Sequence, residues 1–150
     1  MINKNETCHA SIQDFAQAAQ LLKTVNRWGG VYLMIADGDP GFALHWKEVL
    51  EERNLKVRSA MDAMEAVKLI KEIGPRNVQR IIIDHRLSKD TGIVLVEYLR
   101  KNHPDIPMLM VSGNADTIKK VHKDRPSIPF ENKSNESAIM RFLGIGEATC

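Results

Sequence analysis

The sequence predicts a doubly wound α/β domain: a five-stranded parallel sheet in strand order 2-1-3-4-5, with an additional N-terminal helix. Two observations carry this expectation. From Val31 onward, short apolar runs alternate five times with segments of helical periodicity, joined by short connections. Such alternation gives a parallel sheet covered by helices on both faces. The runs Val31 to Ala36 and Ile81-Ile82-Ile83 are also apolar without interruption, as strands buried on both faces require. Five βα units of this kind are usually wound as 2-1-3-4-5, and their functional residues gather beyond the carboxyl ends of the strands, where strands 1 and 3 part.

The elements follow in order. Met1 to Ala10 is polar, and Ser11 opens a helical pattern with Asp14 three positions on as a loose capping box. Ile12, Phe15, Ala19 and Leu22 form one apolar stripe, and Ala18, Leu21, Val25 and Trp28 form a second beside it, ended by Gly29-Gly30. So broad an apolar face requires cover, either from the domain's own body or from a partner. Val31 to Ala36 is strand 1. Asp39 and Pro40 read as cap and first residue of a helix through Trp46, Val49 and Leu50. Leu55 to Ser59 is strand 2. Asp62, with Glu65 three residues on, caps a helix that Gly74-Pro75 stops. Arg80 to Asp84 contains strand 3, Gly92 to Asn102 is helical, and Pro107 to Val111 is strand 4. A helical stretch over Asp116 to Lys123 precedes a fifth strand around Ile128 to Phe130, and Asn135 to Leu143 closes the series. The expected partition is a tail and amphipathic helix over 1–30, a domain body over 31–143 and a short tail over 144–150.

Composition narrows the function. The 150 residues suit one domain, and 43% hydrophobic with 27% charged residues is ordinary for a soluble protein. Lys and Arg number 21 against 19 Asp and Glu, a formal charge of +2. That balance supplies no electrostatic case for binding nucleic acid or a membrane surface. No apolar run approaches the roughly 18–20 residues that span a bilayer, and the N-terminus lacks the apolar core of a signal peptide. Cys8 and Cys150 stand at opposite ends and form no CxxC pair, so a reducing, cytoplasmic setting is the simpler reading.

The carboxyl edge holds the chemistry. Strand 1 runs into Asp37-Gly38-Asp39, strand 3 ends in Asp84, strand 4 is followed by Ser112-Gly113, and the fifth strand leads to Lys133. Taken singly, Asp39 reads as a helix cap, Ser112 as a turn hydroxyl and Lys133 as a solvated charge. Their shared position on one rim gives them weight. Two carboxylates about 5 Å apart repel by roughly 3 kcal/mol at an effective dielectric near 20. A divalent cation or a lysine relieves that repulsion, and magnesium, which takes one or two carboxylates, waters and a phosphate, suits the donors. In such a site Asp84 can attack a phosphoryl group, with Ser112 and Lys133 stabilising the transferring oxygens.

At this point the sequence resembles the receiver domain of bacterial two-component response regulators. The resemblance covers Val31 to about Leu143. It is strongest in Ile81-Ile82-Ile83-Asp84-His85-Arg86-Leu87 and Ser88-Lys89-Asp90-Thr91-Gly92, where the spacing from aspartate to glycine is that of the family's phosphoacceptor loop. The resemblance implies a flavodoxin-like fold with Asp84 as phosphoacceptor. It also implies magnesium held by Asp37, Asp84 and the Arg86 carbonyl; Asp39 is a candidate substitute ligand if the loop shifts. Ser112 stands at the family's conserved hydroxyl, Lys133 at its lysine and Phe130 at its aromatic switch residue. A histidine kinase or a histidine phosphotransfer protein is the implied partner. A homodimer could form through the N-terminal helix or the strand 4-5 face. No enzymatic activity is implied beyond self-catalysed aspartyl phosphorylation and dephosphorylation.

Three residues depart from the family pattern. Gly38 replaces the second of two adjacent acids, which weakens the expected magnesium site. Ser88 replaces a proline in the phosphoacceptor loop. Ser134 replaces the proline after the lysine, where the family has a cis peptide. A cis bond before serine costs about 2.5–4 kcal/mol, so Lys133 is expected to sit differently. Gly38 also favours an alternative, a degenerate pseudo-receiver acting as a phosphorylation-independent interaction module. An unrelated flavodoxin-like enzyme is a third class, but GxGxxG, GxxxxGK[ST] and GxSxG are all absent from the sequence. His9, His45, His85, His103 and His122 show no zinc-ligand spacing. His85 is read as structural or exposed, pointing away from Asp84 by strand alternation.

Overall fold

A computed structural model describes residues 30–36 and 40–145. The expected helix over Ser11 to Trp28, the turn Asp37-Gly38-Asp39, and Cys8 and Cys150 lie outside the described residues. The elements are β1 (Val31–Ile35), α1 (Pro40–Glu51), β2 (Lys56–Ala60), α2 (Ala63–Ile73), a 3-10 turn (Pro75–Asn77), β3 (Val78–Asp84), α3 (Gly92–Asn102), β4 (Met108–Ser112), α4 (Ala115–Asp124), β5 (Phe130–Asn132) and α5 (Glu136–Leu143).

All five strands are parallel and lie in the order β2-β1-β3-β4-β5, as the alternation predicts. Helices pack on both faces. One apolar cluster joins Leu33, Ile35, Ile81 and Ile83 to α2 and α3. The other joins Met34, Ile82 and Val111 to Trp46 and Leu50 of α1 and to Ile139 and Leu143 of α5. The runs read from the sequence are therefore split by side-chain alternation, Ile81 and Ile83 to one layer and Ile82 to the other. Each fully buried isoleucine contributes roughly 1.5–3 kcal/mol through burial. The edge strand β2 lacks that double cover, and Lys56, Arg58 and Ser59 are exposed.

Local signals fix the helix starts. Asp62 accepts from the Glu65 N–H at 2.8 Å, and the Met61 N–H donates to the Glu65 carboxylate at 3.1 Å. Asp62 and Glu65 thus cap the helix as read from the sequence, with the glutamate reaching the N–H one residue before the cap. Asn114 caps α4 by accepting from the N–H groups of Asp116 and Thr117, so α4 begins at Ala115 rather than Asp116. The largest correction concerns the fifth strand. It pairs over Phe130–Asn132, two residues beyond the expected Ile128 to Phe130. Polar Glu131 and Asn132 lack the apolar run that marks the inner strands, yet Met110, Val111 and Ser112 hold them in register.

Candidate functional site

Three strand ends converge on one rim. Asp84 closes β3 beside Val111, and Ser112 closes β4 beside Asn132. The Lys133 N–H then donates to the Ser112 carbonyl at 3.0 Å, carrying the ladder one residue past β5. The chain turns at once. The Asn132 side-chain carbonyl accepts from the Ser134 N–H at 2.9 Å and from its hydroxyl at 2.8 Å, while the Asn135 N–H donates to the Asn132 backbone carbonyl at 3.0 Å. This asparagine-fastened turn aims Lys133 back across the edge, where its Nζ lies 2.7 Å from Asp84 Oδ2.

The peptide after Lys133 is trans, and the lysine nonetheless meets Asp84. Among the described residues no peptide bond is cis, and the lysine reaches the aspartate through a trans link organised by Asn132. The pair is well sheltered, with Asp84 only 4% exposed. Removing one partner from a buried pair costs about 3–5 kcal/mol because the other charge is left uncompensated. Lys133 Nζ also stands 5.1 Å from the centroid of the Phe42 ring in α1, a cation–π contact that no sequence spacing signals.

The loop after β3 is tied at several points. Arg86 donates its N–H to Asp84 Oδ1 at 3.3 Å. Arg86 and Thr91 form a bridge in which the Leu87 N–H donates to the Asp90 carbonyl and the Gly92 N–H to the His85 carbonyl, at 3.0 and 2.7 Å. Neither bond uses the Arg86 carbonyl. A Cβ on Gly92 would run into the Asp84 carbonyl oxygen and lie 2.9 Å from Ile83 Cγ2. The fixed spacing from aspartate to glycine thus has a steric cause. Ser88 also makes sense here: its N–H, which proline would lack, donates to the Met61 carbonyl at 3.3 Å.

Ser112 is buried at the neighbouring strand end, and its hydroxyl oxygen accepts from the Asn114 N–H at 3.0 Å. Phe130 is turned inward. The His85 ring stacks on it at 5.9 Å between centroids with 24° between planes, and His122 of α4 meets it edge-on at 5.9 Å. His85 follows Ile81 and Ile83 onto that face by alternation, as expected, but the sequence did not reveal its stacking role. Partial burial lowers the His85 pKa from the ordinary histidine value; the Asp84 charge opposes this and Arg86 adds to it.

Asp37, Asp39 and Gly38 lie outside the described residues, and among the described residues no group of three or more His, Cys, Asp or Glu could hold a metal. The described donors nonetheless fit the expected ion. The Asp84 carboxylate and the Arg86 carbonyl are hard oxygens of the kind magnesium takes. β1 pairs Ile35 with Ile83, so β1 ends level with the strand that carries Asp84.

Fold and rim together define a doubly wound α/β domain built around an acidic strand end. The profile of the response regulator receiver domain matches residues 33–124, and the chain belongs to that family. It is 26% identical over 101 residues to the sensor kinase CckA of Brucella abortus (strain 2308), covering 67% of this chain and 11% of that protein. It is 29% identical over 86 residues to the nitrogen assimilation regulatory protein NtrX of Azorhizobium caulinodans, covering 56% of this chain and 18% of that protein. The chain thus spans only a small part of both relatives. Among solved structures, a response regulator receiver domain protein from Clostridium thermocellum superposes with a TM-score of 0.64 at 16% identity, covering 77% of this chain and 91% of that one. A sensor protein from Polaromonas sp. JS666 gives 0.63 at 21%, covering 77% and 93%. At these identities the structures speak to the fold.

Proposed function

We propose that Asp84 accepts a phosphoryl group from a phosphohistidine on a histidine kinase or histidine phosphotransfer protein. The observation that carries the reading is the 2.7 Å approach of Lys133 to Asp84 at the carboxyl end of β3. A carboxylate oxygen attacks phosphorus and forms the acyl phosphate. The P–N bond breaks, its electron pair returns to the imidazole nitrogen, and that nitrogen takes up a proton. Lys133 transfers its contact from the free carboxylate to a phosphoryl oxygen, and the Ser112 hydroxyl donates to another. Magnesium, when bound by Asp37, Asp84 and the Arg86 carbonyl, with Asp39 as a substitute for the acid missing at Gly38, supplies further charge neutralisation.

Drawing Ser112 toward the phosphoryl group breaks its bond with Asn114 and loosens the start of α4. Phe130, held between His85 and His122, is the ring that senses this change. The surface formed by β4, β5, α4 and α5 is then the output, through which a partner or a second copy would bind. The buried ion pair supports this reading over a phosphorylation-independent module, which has no need of a lysine held against an aspartate. The test is incubation with acetyl phosphate and magnesium, followed by intact-mass spectrometry beside Asp84→Asn. The expected result is a gain of one phosphoryl group, abolished in the variant. A folded wild-type protein that gains none contradicts the proposal.

A further inference from the structure

The opposite half of the carboxyl edge carries an open apolar groove of about 580 Å³ between α1 and the edge strand β2. Met34, Ala43, Val57 and Ala60 line its floor and walls, and Leu44 and Met61 rise at its rims. Leu44 is 55% exposed, Met61 52% and nearby Met64 68%. With Val94 on α3 these are the exposed large apolar residues described, and two of the four, Leu44 and Met61, line one groove. Grouped exposure of this kind marks a surface that something covers, and an uncovered edge strand is itself an invitation to pairing.

We propose that the groove is covered by the chain's own segment Ser11 to Trp28. This inference does not rest on the phosphorylation chemistry. The segment enters the domain through Gly29-Gly30, directly before β1, the strand hydrogen-bonded to β2. Its two apolar stripes need a surface to lie on. The lengths agree as well. A strand rises about 3.3 Å per residue, so Met34 to Ala36 stand roughly 10–17 Å above the start of β1. A helix folding back from the two glycines rises about 1.5 Å per residue, which brings Ala18, Ala19, Leu21 and Leu22 to that height and Phe15 to about 20 Å, level with the rim.

The rims carry one charge of each sign, Lys47 and Glu65. The segment carries Asp14 against Lys23 and Arg27, so no block of like charge opposes docking. Ala36, at the groove wall, directly precedes Asp37.

The test is a designed disulfide in the full chain with Cys8 and Cys150 changed to Ser. Gln17→Cys flanks the apolar stripes and is paired with Leu44→Cys, and with Val94→Cys as a remote control. Under mild oxidation the first pair is expected to close within one chain, giving monomer mass less two hydrogens, while the control stays reduced. Free thiols in the first pair overturn the proposal. A link between two chains also overturns it, by making a second copy the occupant. Phe15→Asp, which alters no described core residue, provides a second reading by hydrogen exchange. Amide exchange across residues 12–28 should rise at least tenfold while the strands are unchanged. Equal exchange in both proteins contradicts docking.

Discussion

The two halves of the carboxyl edge are built from opposite materials. At β3, β4 and β5 the strand ends carry buried Asp84 and Ser112 and half-buried Lys133, all hydrogen-bonded. At β1 and β2 the same edge offers Met34, Ala60 and Met61 around an open groove. The difference shows how one sheet edge divides its tasks. A carboxylate can be buried only where neighbouring strands bring a cation and N–H donors to it, and that requires the central strands. Asp84 has that shelter because β3 lies between β1 and β4, whereas β2 has only β1 beside it and its end is left as open surface.

The largest effect that would break this comparison comes from Lys133→Ala. It leaves Asp84 buried without its cation, and urea unfolding should show a loss of about 3 kcal/mol. Phosphoryl uptake from acetyl phosphate should slow on the order of 100-fold, as loss of one charge-stabilising donor does. Stability and uptake both unchanged would mean that the 2.7 Å contact is incidental.

Gly92→Ala comes next. Its methyl must displace the Asp84 carbonyl, and overpacking of this kind costs about 1–3 kcal/mol. The damage falls on the backbone beneath the phosphoacceptor, so uptake should also drop, read by the same two assays. Asn132→Ala sharpens the account of the trans turn. Loss of a side-chain hydrogen bond costs roughly 0.5–1.5 kcal/mol, and Lys133 should lose its fixed approach. Uptake should fall, but less than in Lys133→Ala.

The smallest effect is pH dependence. The His85 pKa is lowered in the fold, so folding favours the neutral ring. That contribution to stability is complete above the ordinary histidine value of about 6.5 and is lost as pH falls through the lower folded value. His85→Gln should therefore flatten the decline of the urea midpoint between pH 7 and pH 5. An equally steep decline in the variant would assign the titration elsewhere.

Much of this edge was legible in the sequence, for physical reasons. Unbroken apolar runs signal strands covered on both faces, which is why β1, β3 and β4 stand out. Asp62 with Glu65 and Asp84 with Gly92 are pairs whose spacing is set by a hydrogen bond or a close approach, and such spacings can be read. β5 was misplaced because Glu131 and Asn132 follow no apolar pattern; neighbouring β4 fixes them. The Asn132 turn, the Phe42 contact with Lys133 and the stacking of His85 on Phe130 join residues from separate elements, and no local spacing records them. The exposed pair Leu44 and Met61 at the groove was hidden for the same reason, since it is assembled from α1 and the β2–α2 connection.

The central claim is that the phosphoryl group resides on Asp84. Borohydride reduces an aspartyl phosphate to homoserine, and cleavage after Arg80 and Arg86 releases residues 81–86 as one tryptic peptide. After incubation with acetyl phosphate and magnesium, homoserine at position 84 is the predicted result. Homoserine at another carboxylate, or at none in a folded protein, would contradict it.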